Sequence, residues 1–106
     1  MKNKSSYIQK LTSRKILSIL EKHKSELKKY NLSKLGLFGS FSKGTAHKKS
    51  DLDFLVSFKH PSFDNYIELK FLLEKVFQRK IDLVMEENLK PSLQYVKKEA
   101  HYLKKL

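Results

Sequence analysis

Apolar residues recur along this chain in two alternating rhythms, one of helical and one of strand spacing. Ile16, Leu17, Leu20, Leu27 and Tyr30 fall near helical spacing behind Ser13, a residue type that caps helix N-termini, and Asn31 closes the segment. Lys34–Phe38 (KLGLF) is a short strand, and Gly39–Ala46 is a turn holding up to two helical turns. Asp51–Phe58 (DLDFLVSF) is a second strand whose Phe54, Val56 and Phe58 share one face and belong to the core. Asp64 is placed to cap a helix running to Gln78, with Tyr66, Ile67, Leu69, Leu73, Val76 and Phe77 turned inward. Lys80–Met85 (KIDLVM) is a third strand. Pro91 suits the first position of a last helix, on which Leu93, Val96, Ala100 and Leu103 form a stripe.

The predicted order is α-β-α-β-α-β-α. The first two strands are joined by only about a dozen residues, too short for a parallel crossover, so they are expected to be antiparallel neighbours. A full helix lies between the second and third, which points to a parallel pair. The expected fold is therefore α/β (α+β): one domain over residues 1–106 with a small mixed sheet and packed helices. Residues 1–12 are polar, basic and expected to fray.

Composition changes this picture in two ways. Lysine and arginine number 23 against 11 acidic residues, a net charge of +12, so polyanions are natural partners: nucleic acid, nucleotides or an acidic protein surface. A lysine-rich solvated surface is the plainer explanation of the same surplus. Cysteine is absent, which excludes disulfides, a thiol nucleophile and a Cys-ligated zinc. No apolar run reaches membrane-spanning length and the N-terminus lacks a signal-peptide core, so the expected location is the cytoplasm.

The candidate chemistry lies in the strands. The chain has four aspartates, Asp51, Asp53, Asp64 and Asp82, and three of them occupy strands, where aspartate is disfavoured. Asp51 and Asp53, two apart, leave one face of one strand. Such carboxylates repel unless a cation sits between them, and hard oxygen donors suit Mg²⁺ or Mn²⁺. If the third strand lies in register beside the second, Asp82 joins the pair; the structural alternative is three strand-end or exposed-face residues. All three glycines fall within Gly36–Gly44. Gly39 and Ser40 stand where a strand passes into a helix, a position whose free backbone N–H groups favour phosphate, although an ordinary turn has the same composition. Gly44 permits a left-handed exit. A phosphate cradle beside a metal site suits phosphoryl or nucleotidyl transfer.

Gly39-Ser40, ten intervening residues and Asp51-Leu52-Asp53 resemble the GS-x10-DxD signature of the DNA polymerase β-like nucleotidyltransferase superfamily. The flanks, LGLFGSFSKGTAHKKSDLDFLVSF and RKIDLV, are similar too, and over residues 13–106 the chain resembles the minimal nucleotidyltransferases. That resemblance implies a polymerase β-like fold and a metal site of Asp51, Asp53 and Asp82, with Asp82 also activating the attacking hydroxyl. It implies a nucleotide site of Gly39 and Ser40, to which Lys43 and Ser50 are added as further candidates. It also implies an antitoxin that moves AMP from ATP to a tyrosine of a HEPN toxin. Many relatives carry arginine after the Gly-Ser pair, whereas Phe41 and Lys43 stand here; lysine supplies charge without a bidentate fork. Ala46-His47-Lys48-Lys49 is basic where relatives are often acidic.

Lys43, Lys48 and Lys49 lie near the expected triphosphate, and His47 is the one histidine beside it. His23, His60 and His101 have no ligand spacing, so no zinc is expected. The outer face of the C-terminal helix, with Tyr95 and Tyr102, is a candidate partner surface. Two other functions fit the same residues. One is an antitoxin that neutralises its partner by binding alone. The other is a nucleotidyltransferase acting on a small molecule or RNA; such enzymes usually carry a further acceptor-binding domain, and this chain ends soon after its third strand.

Overall fold

Strand β2 (Leu52–Phe58) is the organising element of the computed structural model, which describes residues 11–46, 50–104 and 106. On one side it pairs antiparallel with β1 (Leu32–Phe38), and on the other parallel with β3 (Ile81–Met85). Both orientations follow from the connection lengths, as expected. A fourth strand, β4 (His101–Tyr102), adds antiparallel to the outer edge of β1, giving the order β3-β2-β1-β4.

Alternation along β2 separates two faces. Leu52, Phe54, Val56 and Phe58 are buried with Leu35, Leu37, Ile81 and Leu83 in the main core. Helices cover this face. Helix α1 (Ser13–Lys22) contributes Ile16 and Leu20, the one-turn α2 (Lys24–Leu27) contributes Leu27, and α4 (Phe63–Phe77) contributes Leu69 and Leu73. The Phe77 ring packs on Phe54 at 5.9 Å, and the Tyr66 hydroxyl donates to the Leu83 carbonyl at 2.7 Å, locking α4 to β3. A further one-turn helix, α3 (Gly39–Lys43), follows β1 directly and inserts Phe41 into the same core.

Several boundaries move from their predicted places. Thr12, not Ser13, caps α1 by accepting from the Lys15 N–H. Ser62, not Asp64, caps α4, leaving Asp64 in the first turn, where the helix dipole favours a carboxylate. The N-terminal helix breaks at His23, whose ring pairs with Glu26, and ends in a 3₁₀ turn (Lys28–Tyr30) before Asn31 takes a left-handed conformation. The expectation that residues 1–12 fray falls, up to Lys10, outside the described residues.

The predicted last helix is the main correction. Pro91–Leu93 forms a 3₁₀ turn, α5 (Val96–Glu99) makes one turn, and Ala100 turns extended into β4. The outer edge of β1 carried unpaired N–H and C=O groups, which pairing with β4 satisfies more fully than another helical turn would. The Leu103 N–H continues the edge by donating to the Leu35 carbonyl at 2.8 Å. Tyr102 lies over Gly36, and its hydroxyl donates to Glu86 at 2.7 Å, with the Lys34 ammonium 3.9 Å from the same carboxylate. Burial, then the bond to Glu86 and its charge, push the Tyr102 phenol's pKa up. Among the described residues no helix is long and apolar enough to cross a membrane.

A Cβ at Gly36 would stand 2.8 Å from the Tyr102 ring and 3.3 Å from the Ala100 methyl, so the glycine is the slot into which the C-terminal segment fits. Gly36→Ala is expected to destabilise the fold by roughly 1–3 kcal/mol through overpacking. Urea unfolding measures it, and an unchanged midpoint would show that the ring gives way freely.

Candidate active site

The site is built where three strand ends meet on the sheet face opposite the main core. In the ladder Asp53 pairs with Phe38 on β1 and with Asp82 on β3. Parallel neighbours in register point the same way, so Asp53 and Asp82 project together. Asp51 lies two residues earlier, just outside β2. Because Phe38 is the last residue of β1, the first turn of α3 begins directly beside Asp53.

Gly39 makes this approach feasible. Its φ of +77° is left-handed, and a Cβ there would run into the Asp53 carboxylate, with the carboxyl carbon at 2.9 Å. Any side chain would therefore be strained and would displace Asp53. No side chain caps α3, whose first turn begins beside the Asp53 carboxylate. Gly44 ends the helix at φ +76°, as its position implied.

Electrostatics mark Asp53 as the strained member. Its pKa is raised to about 6, most by burial, then by the charges of Asp82 and Asp51 and a hydrogen bond shared with Asp82. Among the described residues no three His, Asp or Glu side chains stand as a ready-made metal cage. The donor set nonetheless fits a hard divalent cation: only oxygen donors converge, and they are short of positive charge.

The remaining predicted residues are placed as follows. Ser40 is half-buried in the first turn of α3. Lys43, in its last turn, is exposed, with its ammonium 3.9 Å from Glu99 across a cleft. That cleft, of about 300 Å³, runs from Gly39 and Asp82 to Leu93 and Tyr95. Ser50 is half-buried, and its carbonyl accepts from Arg79 at 2.9 Å. His47, Lys48 and Lys49 lie outside the described residues. A larger apolar groove lined by Pro61, Phe63, Tyr66 and Met85 lies at the far end of β3. It has no acid or base beyond Tyr66, whose hydroxyl is already committed, so the chemistry belongs to the carboxylate end.

Arg79 is the participant that pattern reasoning passed over. Its guanidinium lies 5.1 Å from the centre of the Phe41 ring. The signal was compositional: Arg14 and Arg79 are the only arginines among 23 basic residues.

The chain belongs to the nucleotidyltransferase domain family, which matches residues 20–105. It is 41% identical over 85 residues to the protein adenylyltransferase MntA of Thermococcus cleftensis, covering 78% of this chain and 86% of that protein. A solved structure described as a candidate minimal nucleotidyltransferase superposes with a TM-score of 0.73 at 29% identity, covering 85% of this chain and 94% of the other. The crystal structure of a toxin–antitoxin with AMP-PNP superposes with a TM-score of 0.62 at 28% identity, covering 88% and 73%. The fold is thus that of the minimal nucleotidyltransferases.

Because Asp53 holds its proton more tightly folded than unfolded, the native state binds extra protons between its ordinary pKa near 3.8 and about 6. Stability from this group is therefore present below that window and lost as pH rises through it. At neutral pH, without metal, Asp53→Asn is expected to stabilise the protein. The gain is on the order of 1 kcal/mol after discounting for solvent screening at a partly exposed carboxylate. The melting-temperature difference between wild type and variant should shrink toward pH 4; a constant difference would show that Asp53 is not the titrating group.

Proposed function

We propose that this chain transfers AMP from ATP to a hydroxyl of a partner protein, a tyrosine of a HEPN toxin, and thereby acts as the antitoxin of a pair. The observation that carries the reading is the placement of Asp53, held between the first turn of α3 and Asp82, with its charge unbalanced. The protein adenylyltransferase name of the Thermococcus relative and the AMP-PNP of the toxin–antitoxin structure support the choice of nucleotide and acceptor class.

Asp51, Asp53 and Asp82 would hold Mg²⁺ or Mn²⁺. When bound, such an ion neutralises the triphosphate and stabilises charge on the attacking and leaving oxygens. Gly39 and Ser40 bind phosphate oxygens through backbone N–H groups and the Ser40 hydroxyl. Lys43 adds positive charge, and Ser50 fixes the chain before Asp51. Asp82 accepts the proton of the acceptor hydroxyl as its oxygen bonds to the α-phosphorus in line; the bond to the bridging oxygen breaks, and pyrophosphate leaves. A reaction that draws on ATP would run in the cytoplasm, where that nucleotide is supplied.

Mg²⁺ with ATP at about a hundred times its Kd should add roughly 2.7 kcal/mol of stability to wild type. Asp53→Asn should lose most of that gain, and an equal shift in both proteins would place the nucleotide elsewhere. Mixed with a helical protein encoded beside its gene, ATP and Mg²⁺, wild type is expected to add the mass of AMP to a partner tyrosine. Asp51→Asn, Asp53→Asn and Asp82→Asn should reduce transfer below detection while still binding the partner. Full protection of cells by an Asp51/Asp53 double variant, with no adduct on the partner, would establish neutralisation by binding alone.

A further inference from the structure

Arg79 belongs to the RKIDLV segment beside Asp82, yet neither the Gly-Ser pair nor the carboxylate set gives it a role. We propose that Arg79 is a positioning residue that fixes Asp51 relative to Asp82 and α3; this rests on the nucleotidyl-transfer reading of the site. Asp51 needs such a device because it stands outside β2. The ladder begins one residue later, where the Leu52 N–H donates to the Lys80 carbonyl at 3.1 Å. Upstream of Asp51, the Ser50 carbonyl takes its hydrogen bond from Arg79 Nη1 at 2.9 Å. The chain is therefore gripped on both sides of Asp51 by consecutive residues, Arg79 through its side chain and Lys80 through its backbone.

A further contact of the guanidinium ties this grip to the phosphate side. Its carbon lies 5.1 Å from the centre of the Phe41 ring, and Phe41 is buried in the core two residues after Gly39. Arg79 itself is aimed by the end of α4. Gln78, four residues before Asp82, takes a left-handed turn at φ 53°, its N–H donating to the Glu74 carbonyl, and releases the chain toward β3. One planar cation thus joins α3, the residue before Asp51 and the entry to β3. A lysine could donate to the Ser50 carbonyl but offers no plane to lie on the ring. This accounts for an arginine here in a chain whose basic residues are otherwise almost all lysine.

The test uses Arg79→Met, which keeps the stem and removes the contacts to Ser50 and Phe41, and Arg79→Lys, which keeps the charge and a donor for the Ser50 carbonyl but offers no plane to Phe41. The readouts are the Mg²⁺ concentration for half-maximal ATP binding and amide hydrogen exchange at Asp51 and Leu52. Arg79→Met is expected to raise the Mg²⁺ requirement about tenfold or more, the usual cost of losing a group that orients metal ligands. Exchange at Asp51 and Leu52 should speed up while Phe54 and Leu55, mid-strand, stay as in wild type. Arg79→Lys should show a smaller rise. An unchanged Mg²⁺ requirement overturns the proposal, and so does acceleration spread evenly over β2, which marks a general structural role. If Arg79→Met does not fold, Arg79→Lys with a wild-type Mg²⁺ requirement overturns it. Absence of Mg²⁺-dependent ATP binding in wild type would instead fail the nucleotidyl-transfer reading itself.

Discussion

Asp53 stands beside Asp82 because β2 and β3 run parallel in register, and the rest of the site depends on that pairing. A slip of one residue between the strands would turn one carboxylate toward the main core and the other away from it. The register is held from the core side. Leu52 pairs with Ile81 and Phe54 with Leu83, all four buried, while α4 clamps β3 through Tyr66 and β2 through Phe77. The apolar face thus positions a polar cluster on the other face that cannot hold itself together.

That cluster is unfavourable as it stands. Burial and like charge both oppose ionisation of Asp53, whose carboxylate fills the space that a side chain at Gly39 would take. A protein tolerates such a site when the cost is confined away from the packing that determines stability, and when a ligand offsets it. Both conditions fit the proposed reaction: the large core lies across the sheet, and a divalent cation arriving with the nucleotide would supply the missing positive charge. The C-terminal segment covers the remainder of the polar face, where Val96 is buried and Tyr102 occupies the space that Gly36 leaves. Its cleft wall, Leu93 and Tyr95, stays exposed beside Asp82.

Much of this was legible in the residues. Strand and helix spacing, with two connection lengths, yielded three strands, their directions and the long helix. Asp53 and Asp82 in strands, Asp51 expected in a strand but found just before β2, and a Gly-Ser pair at a strand–helix junction marked the site. Caps were misplaced by one or two residues because serine, threonine and aspartate are all competent and only the local path of the chain selects among them. The last segment was misread because Leu93, Val96, Ala100 and Leu103 keep helical spacing, although an open sheet edge competes for the same backbone.

The amino-acid order by itself determined what repeats locally: periodicity, the short and long connections, the chemistry of the carboxylates and the flexibility of the glycines. Tertiary structure alone decided which distant residues share a contact. The Gly39 turn abuts the Asp53 carboxylate, Gly36 receives the Tyr102 ring, and Arg79 reaches both Phe41 and the Ser50 carbonyl. None of these has a period or a fixed spacing. Each arises because strands far apart in sequence are brought within hydrogen-bonding distance, and at that range a missing Cβ or a planar cation decides what fits.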